Sequence, residues 1–317
     1  MKTRKIILLG IIVALMSSCG RVSNFHTGRG VEHAVAGNNE RAIKSLTRAI
    51  QLNNTNELAY ASRGRVFFEM RKYDDAIADF NMAINLNDSE ARNYYWRGRA
   101  FAEMRKFDDA IADFTMAINL DDEKATYFFW RGRVFYVIEK HYNAIADFNM
   151  AISLNDSIAL FYYRRAITYR RLGKIDLAIA DFTTVIELNE NFPYIYAERS
   201  LLYCDLKDYE SAKADLKRAI EINPDDLIAY AFLADIYWLE GQMELSIEKY
   251  SYVINRNPDF FNENFGIEKG WIFLARARVY YSINEREQAI ADLKTAAGMG
   301  YERASRALIN SFDIDYP

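Results

Sequence analysis

The chain has 317 residues, of which 51% are hydrophobic and 15% aromatic, with only 4 Pro and 14 Gly; this excludes a disordered or fibrous chain and suits a long, mostly helical one. Its 40 basic and 44 acidic residues give a net charge of −4, more negative still if Lys2, Arg4 and Lys5 leave with a leader, so no nucleic-acid partner is expected. Cys19 and Cys204 are the only cysteines, too few for a disulfide framework.

The first segment stands apart. Met1 to Lys5 is basic and Ile6 to Met16 is an apolar run too short to span a bilayer, the pattern of a secretory signal. The run ends in Leu15-Met-Ser-Ser-Cys19, which resembles a bacterial lipoprotein signal, although Met16 stands where that family most often has Leu. The resemblance implies a signal peptide over 1–18, lipid on Cys19, a short linker over 19–22 and a place in the bacterial cell envelope, held to the outer membrane in preference to the inner. Ordinary signal cleavage would leave the chain secreted or periplasmic. Cys204 then has no intramolecular partner and reads as a small apolar residue of a helix.

From residue 23 the chain repeats. Tyr73-Asp-Asp-Ala-Ile-Ala-Asp-Phe-Asn-Met-Ala-Ile-Asn-Leu86 returns as Phe107 to Leu120 and His141 to Leu154, and more loosely as Ile175 to Leu188 and Tyr209 to Ile222. The step of 34 residues between copies means stacked supersecondary units. Numbering each repeat from place 1, repeats begin at residues 23, 57, 91, 125, 159, 193 and 227, and an eighth at 270 after the insertion Phe261 to Lys269. In the first half of a repeat, places 4, 8 and 11 (Tyr60, Gly64 and Phe67) share one helical face; in the second half, Ala76, Phe80, Ala83 and Ile84 do. Two helices per repeat follow. Gly37, Gly173 and Gly241 fall in the turn between them, and Asp88, Asp122, Asp156, Pro224 and Pro258 are expected to close the repeats. His26, Gly28, Gly30 and His33 weaken the opening helix, so Ser23 to Ala36 is expected to be frayed. Tyr301 to Asn310 reads as a capping helix, before an acidic, aromatic tail from Phe312 to Pro317.

These residues resemble the tetratricopeptide repeat family: aromatic at places 4 and 11, small at 8, Ala at 20 and 27, Pro at 32, though not all in one repeat. The resemblance implies an all-α fold, a right-handed α-solenoid of about eight helix-turn-helix repeats over 23–300 with a capping helix, whose first helices line a groove.

Where that family usually has Leu at place 7, this chain has Arg63, Arg97, Arg131, Arg165, Arg199 and Arg276, and the same repeats carry Asp79, Asp113, Asp147, Asp181, Asp215 and Asp292 at place 23. The seventh repeat, with Leu233 and Lys249, loses both. Joint loss predicts structural ion pairs across each helix pair, because an unpartnered Arg on the packed side would be costly.

If the family geometry holds, the groove offers Arg65, Phe68, Tyr95, Trp96, Arg99, Phe129, Trp130, Arg133, Tyr136, Tyr163, Arg164 and Arg170, with Glu69 and Glu103 the few acids among them. An acidic chain with a basic, aromatic groove favours an extended, acidic peptide segment as partner; inter-repeat packing is the structural reading of the same residues. The sixth and seventh repeats offer Tyr194, Phe232 and Trp238, an apolar and mildly acidic stretch.

No residues converge as catalysis requires. His26, His33 and His141 lack a third ligand at metal spacing, and no phosphate loop, dinucleotide fingerprint or nucleophile elbow occurs. Asp74-Asp75 and Asp108-Asp109 are explained by helix dipoles. The expectation is a non-enzymatic adaptor without cofactor or metal, binding a protein segment; the alternative is a subunit binding cell wall or anionic glycan.

Overall fold

The structure is a computed structural model describing residues 20–192 and 194–312. The signal segment, Cys19 and the tail beyond Phe312 lie outside the described residues. The protein is an all-α repeat solenoid, and no strand is present among the described residues. It divides into two compact units, one ending at Lys174 and one starting at Ile175.

The first unit holds α1 (residues 20–35), α2 (Asn39–Leu52), α3 (Glu57–Glu69), α4 (Tyr73–Leu86), α5 (Ala91–Glu103), α6 (Phe107–Leu120), α7 (Ala125–Val137), α8 (His141–Leu154) and α9 (Ala159–Arg171). The second holds α10 (Ile175–Leu188), α11 (Ile195–Asp205), α12 (Tyr209–Ile222), α13 (Leu227–Leu239), α14 (Met243–Arg256), α15 (Trp271–Ser282), α16 (Arg286–Gly298) and α17 (Glu302–Phe312).

The core runs along the second helix of each repeat. Ala76, Phe80 and Ala83 are fully buried on α4, as are Ala110, Phe114 and Ala117 on α6 and Ala144, Phe148 and Ala151 on α8. Small residues at place 8 let the facing helix approach: a Cβ built on Gly132 would lie 2.9 Å from the Phe148 ring, and one on Gly98 3.1 Å from Phe114.

Two backbone devices set the period. The residue at place 15 is left-handed throughout: Gly37, Gly173 and Gly241 take that conformation without a Cβ penalty, but Arg71, Arg105, Glu139, Lys207 and Asn284 adopt it too, with φ of 59° to 64°. Second helices stop one residue earlier than Asp88, Asp122 and Asp156 suggest. Asn87, Asp121 and Asn155 turn to extended backbone, and each side chain accepts a bond from the backbone N–H two residues on, at 3.1 to 3.3 Å. An Asx turn therefore sets the stop.

The opening helix departs from expectation: residues 20–35 form a helix, not a frayed segment. Ser23 and Thr27 are buried, the Asn56 amide donates to both hydroxyls at 2.7 and 3.1 Å, and Ser23 donates to the Ala49 carbonyl. Gly30, a weak helix former, sits where any Cβ would collide with Leu46 at 2.5 Å. Tertiary packing outweighs propensity here.

Candidate functional site

Five of the six predicted pairs lie within one unit, and in each the arginine reaches the carboxylate on its own second helix through two bonds; Arg29, at place 7 of the first repeat, stands opposite Ser45 and has no such partner among the described residues. Arg63 donates from Nε and Nη2 to Asp79 at 2.7 and 2.8 Å, Arg97 to Asp113 at 2.8 and 2.7 Å, and Arg131 to Asp147 at 2.9 and 2.8 Å. Arg199 with Asp215 and Arg276 with Asp292 repeat the fork in the second unit. Arg165 and Asp181 have one member in each unit.

A third partner was not foreseen. The remaining Nη1 donates to the preceding repeat: Arg63 to Thr47, Arg97 to Asn81, Arg131 to Thr115, Arg165 to Asn149, Arg199 to Thr183 and, across the insertion, Arg276 to Ser251. The sequence carried a signal for it, because the repeat before Leu233 has Lys217 at that place. One planar fork thus joins three helices. Burial pushes the Asp113 carboxyl up in spite of the bonds from Arg97, and likewise Asp147 and Asp215, whereas those bonds hold the Arg97 guanidinium above its ordinary value. Desolvation therefore opposes the pair's attraction, and the fork fixes how the three helices meet.

The fork arginines also pass rings, at 5.5 to 6.0 Å, but at places 6 and 9 of α3, α5, α7 and α9 arginines and rings come closer and form a row. Arg99 lies 4.8 Å from the Trp96 ring centre, 4.1 Å from Trp130 and 4.7 Å from Phe68; Arg133 lies 4.1 Å from the same Trp130, and Arg65 lies 5.1 Å from Trp96. Arg164 continues the row on α9, 5.8 Å from Tyr163. Arg99, Arg133 and Arg164 are half-buried, and the buried Nε atoms of Arg99 and Arg164 have no hydrogen-bond partner among the described residues. Burial pulls the Arg133 guanidinium down, helped by the positive charges of Arg164 and Arg99. A cavity of about 330 Å³ opens beside Trp130 and Arg133.

Other predicted groove residues are distributed less uniformly. Phe129 is a correction: it is buried in the core, stacked on Phe161 at 4.9 Å and Phe148 at 5.9 Å, because its place turns it toward the next repeat. Tyr95 is half-buried against Tyr127 and Phe114. Tyr136 packs beside His141, Arg65 is exposed and bonds Glu69 at 3.3 Å, and Tyr163 and Arg170 are half-buried on α9.

In the second unit the expected face is partly filled by the chain itself. The insertion folds through the bridge Asn262–Ile267 and a 3-10 turn at Glu263–Phe265. Its Phe265 ring lies edge-on to Tyr194 at 5.9 Å and to Phe232 at 5.3 Å. Deeper, the Tyr250 hydroxyl donates to Asp235 in the repeat without the fork, and Leu233 is buried there. Cys204 is a half-buried thiol pushed up to about 11 by burial and by Asp235 and Asp205, which leaves it un-ionised and unreactive at neutral pH.

Sequence models of the tetratricopeptide repeat match residues 27–93, 95–157, 159–192 and 193–226. Nothing matches among curated proteins. Among solved structures, the C-terminal part of a TPR repeat-containing protein from Cytophaga hutchinsonii matches 77% of this chain and 98% of its own, with a TM-score of 0.65 and 18% identity. The protein pilF of Pseudomonas aeruginosa matches 69% of this chain and 99% of its own, at 0.59 and 17%. YrrB, described as a TPR protein with an unusual peptide-binding site, matches 58% and 95%, at 0.51 and 23%. Identities this low establish likeness of fold only.

Proposed function

The chain belongs to the tetratricopeptide repeat family, and on that premise we propose that it is a non-enzymatic interaction scaffold whose first unit grips an extended, acidic segment of another protein. The observation that carries the reading is Arg99, held between Trp96 and Trp130 with a buried Nε that no described residue satisfies. That Nε is closed off by the rings, so what the site offers an external acceptor is the charge of a guanidinium paired with no carboxylate among the described residues. Arg133 and Arg164 extend the row, so successive carboxylates could be met by successive guanidiniums while apolar side chains enter the cavity at Trp130. That YrrB is described as having a peptide-binding site supports the class of ligand. The anionic-glycan alternative has less support, because each indole is already engaged by two guanidiniums.

The test is binding of the full chain to an array of short peptides graded in net charge, with and without aromatic residues, beside an Arg99→Glu, Arg133→Glu variant checked for unchanged helicity. The wild type is expected to select acidic peptides with an aromatic residue, and the variant to bind them more than about ten-fold less well. Equal selection by both would remove these arginines from the function.

The N-terminal pattern supports an exported scaffold anchored by lipid on Cys19, in the bacterial envelope and in the outer membrane by preference. Labelling cells with a fatty acid should mark the wild type and not Cys19→Ala; label on both, or on neither, would return the chain to a secreted or periplasmic place.

A further inference from the structure

The second unit contains a site of its own, independent of the reading of the first. A cavity of about 400 Å³ lies among α13, α15, α16 and α17. Its walls include Trp238, Leu274, Ala277, Leu293 and Phe312, and its polar residues are Arg278, Arg303, Tyr281 and two serines, with no acidic residue among those lining it. The aromatic end is firmly built: Phe312 is buried, edge-on to Tyr281 at 5.5 Å, with the Arg286 guanidinium 4.9 Å from its ring. Neither Arg278 nor Arg303 forms an ion pair among the described residues. Arg278 favours the charged form of the buried Asp235 carboxylate, whose oxygen already accepts the Tyr250 hydroxyl.

Two unpaired guanidiniums at the rim of an apolar cavity select a ligand with a carboxylate at one end and a hydrocarbon body at the other. The volume falls at the small end of the range that holds small molecules. We propose that this cavity binds a monocarboxylic acid with an aliphatic or aromatic body, the body lying on Trp238, Leu274 and Phe312 and the carboxylate received by Arg278 and Arg303. A ligand here touches both the last full repeat and α17, so it fastens the helix that covers the end of the solenoid.

Calorimetric titration of the full chain with decanoate, and separately with decylamine, tests the assignment. Saturable binding of decanoate is expected, with decylamine at least about ten-fold weaker because the same body then brings a positive charge to two arginines. Arg278→Gln with Arg303→Gln should weaken decanoate binding by about ten-fold or more while helicity is unchanged. The Arg99→Glu, Arg133→Glu variant should bind decanoate like the wild type, which separates this site from the one on the first unit. If decanoate fails to saturate, if decylamine binds as well, or if the Arg278, Arg303 variant keeps its affinity, the assignment is overturned. Ala307→Trp offers a second check, since filling the cavity should abolish binding with both arginines intact.

Discussion

Removing the carboxylate of Asp113 strands a guanidinium whose side chain keeps only 19% of its surface in water. Asp113→Ala is therefore expected to lower stability by about 3 kcal/mol in urea denaturation, through the cost of a covered, unpaired charge. The seventh repeat shows another way to fill the place, with Leu233 buried and Lys249 turned to the neighbouring Glu248 at 2.8 Å. Removing both charges, as Arg97→Leu with Asp113→Ala, should cost less than Asp113→Ala alone, because no buried charge remains. A double variant as unstable as the single would show that the fork carries net stability. Asp235 gives a prediction in pH. Burial pushes its carboxyl up to about 6 against the pull of Tyr250 and Arg278, although the residue as a whole keeps some exposure. The unfolded group titrates near 4, so the folded state binds the proton more tightly. The penalty is absent below about pH 4, grows through the window and is complete above about pH 6, so stability falls as pH rises between them. Asp235→Asn, which can still accept from Tyr250, should flatten that slope and add on the order of 1 to 2 kcal/mol at neutral pH. Comparison with wild type isolates it from Asp113, Asp147 and Asp215, which shift in the same direction.

At the scale of the element, the turn at place 15 holds an L-residue in left-handed backbone in five of eight repeats. Glycine already fills that place at Gly37, Gly173 and Gly241 in the same left-handed conformation, so the turn accepts it. Arg105→Gly and Glu139→Gly should each raise stability by about 0.5 to 1 kcal/mol, read as a shift in urea midpoint, since relief of strain exceeds the entropy that glycine adds to the unfolded chain. Helix faces were legible from sequence, because Ala76, Phe80 and Ala83 recur on one stripe and a stripe can be buried in only one direction. Helix ends were less so. Asp88 and Asn87 are both good stop residues, and the bond that the Ser89 N–H donates to Asn87 Oδ1 distinguishes them. The opening helix was misjudged for a related reason: two glycines count against a helix in isolation, yet Gly30 is what admits Leu46.

Over a whole unit, stability is carried from neighbour to neighbour. α6 packs on α5 and α7, and each repeat of the first unit adds the same interface, so loss of one core side chain should be felt most next door. Phe114→Ala is expected to cost about 3 to 5 kcal/mol. Amide exchange should then quicken most in α5 to α8 and least in α1 and α2; uniform loss of protection would mean the unit opens as one block. What the sequence by itself determined is the all-α repeat, its period and the co-occurrence of Arg and Asp, because these are properties of spacing along one chain. Tertiary structure alone decided which arginines find the rings of a neighbouring repeat, that Phe129 belongs to the core, and that Phe265 lies across Tyr194 and Phe232 while Arg278 and Arg303 meet at one cavity. Those are contacts between residues of different repeats, and no spacing within a repeat encodes which side chains two stacked helices will turn toward each other.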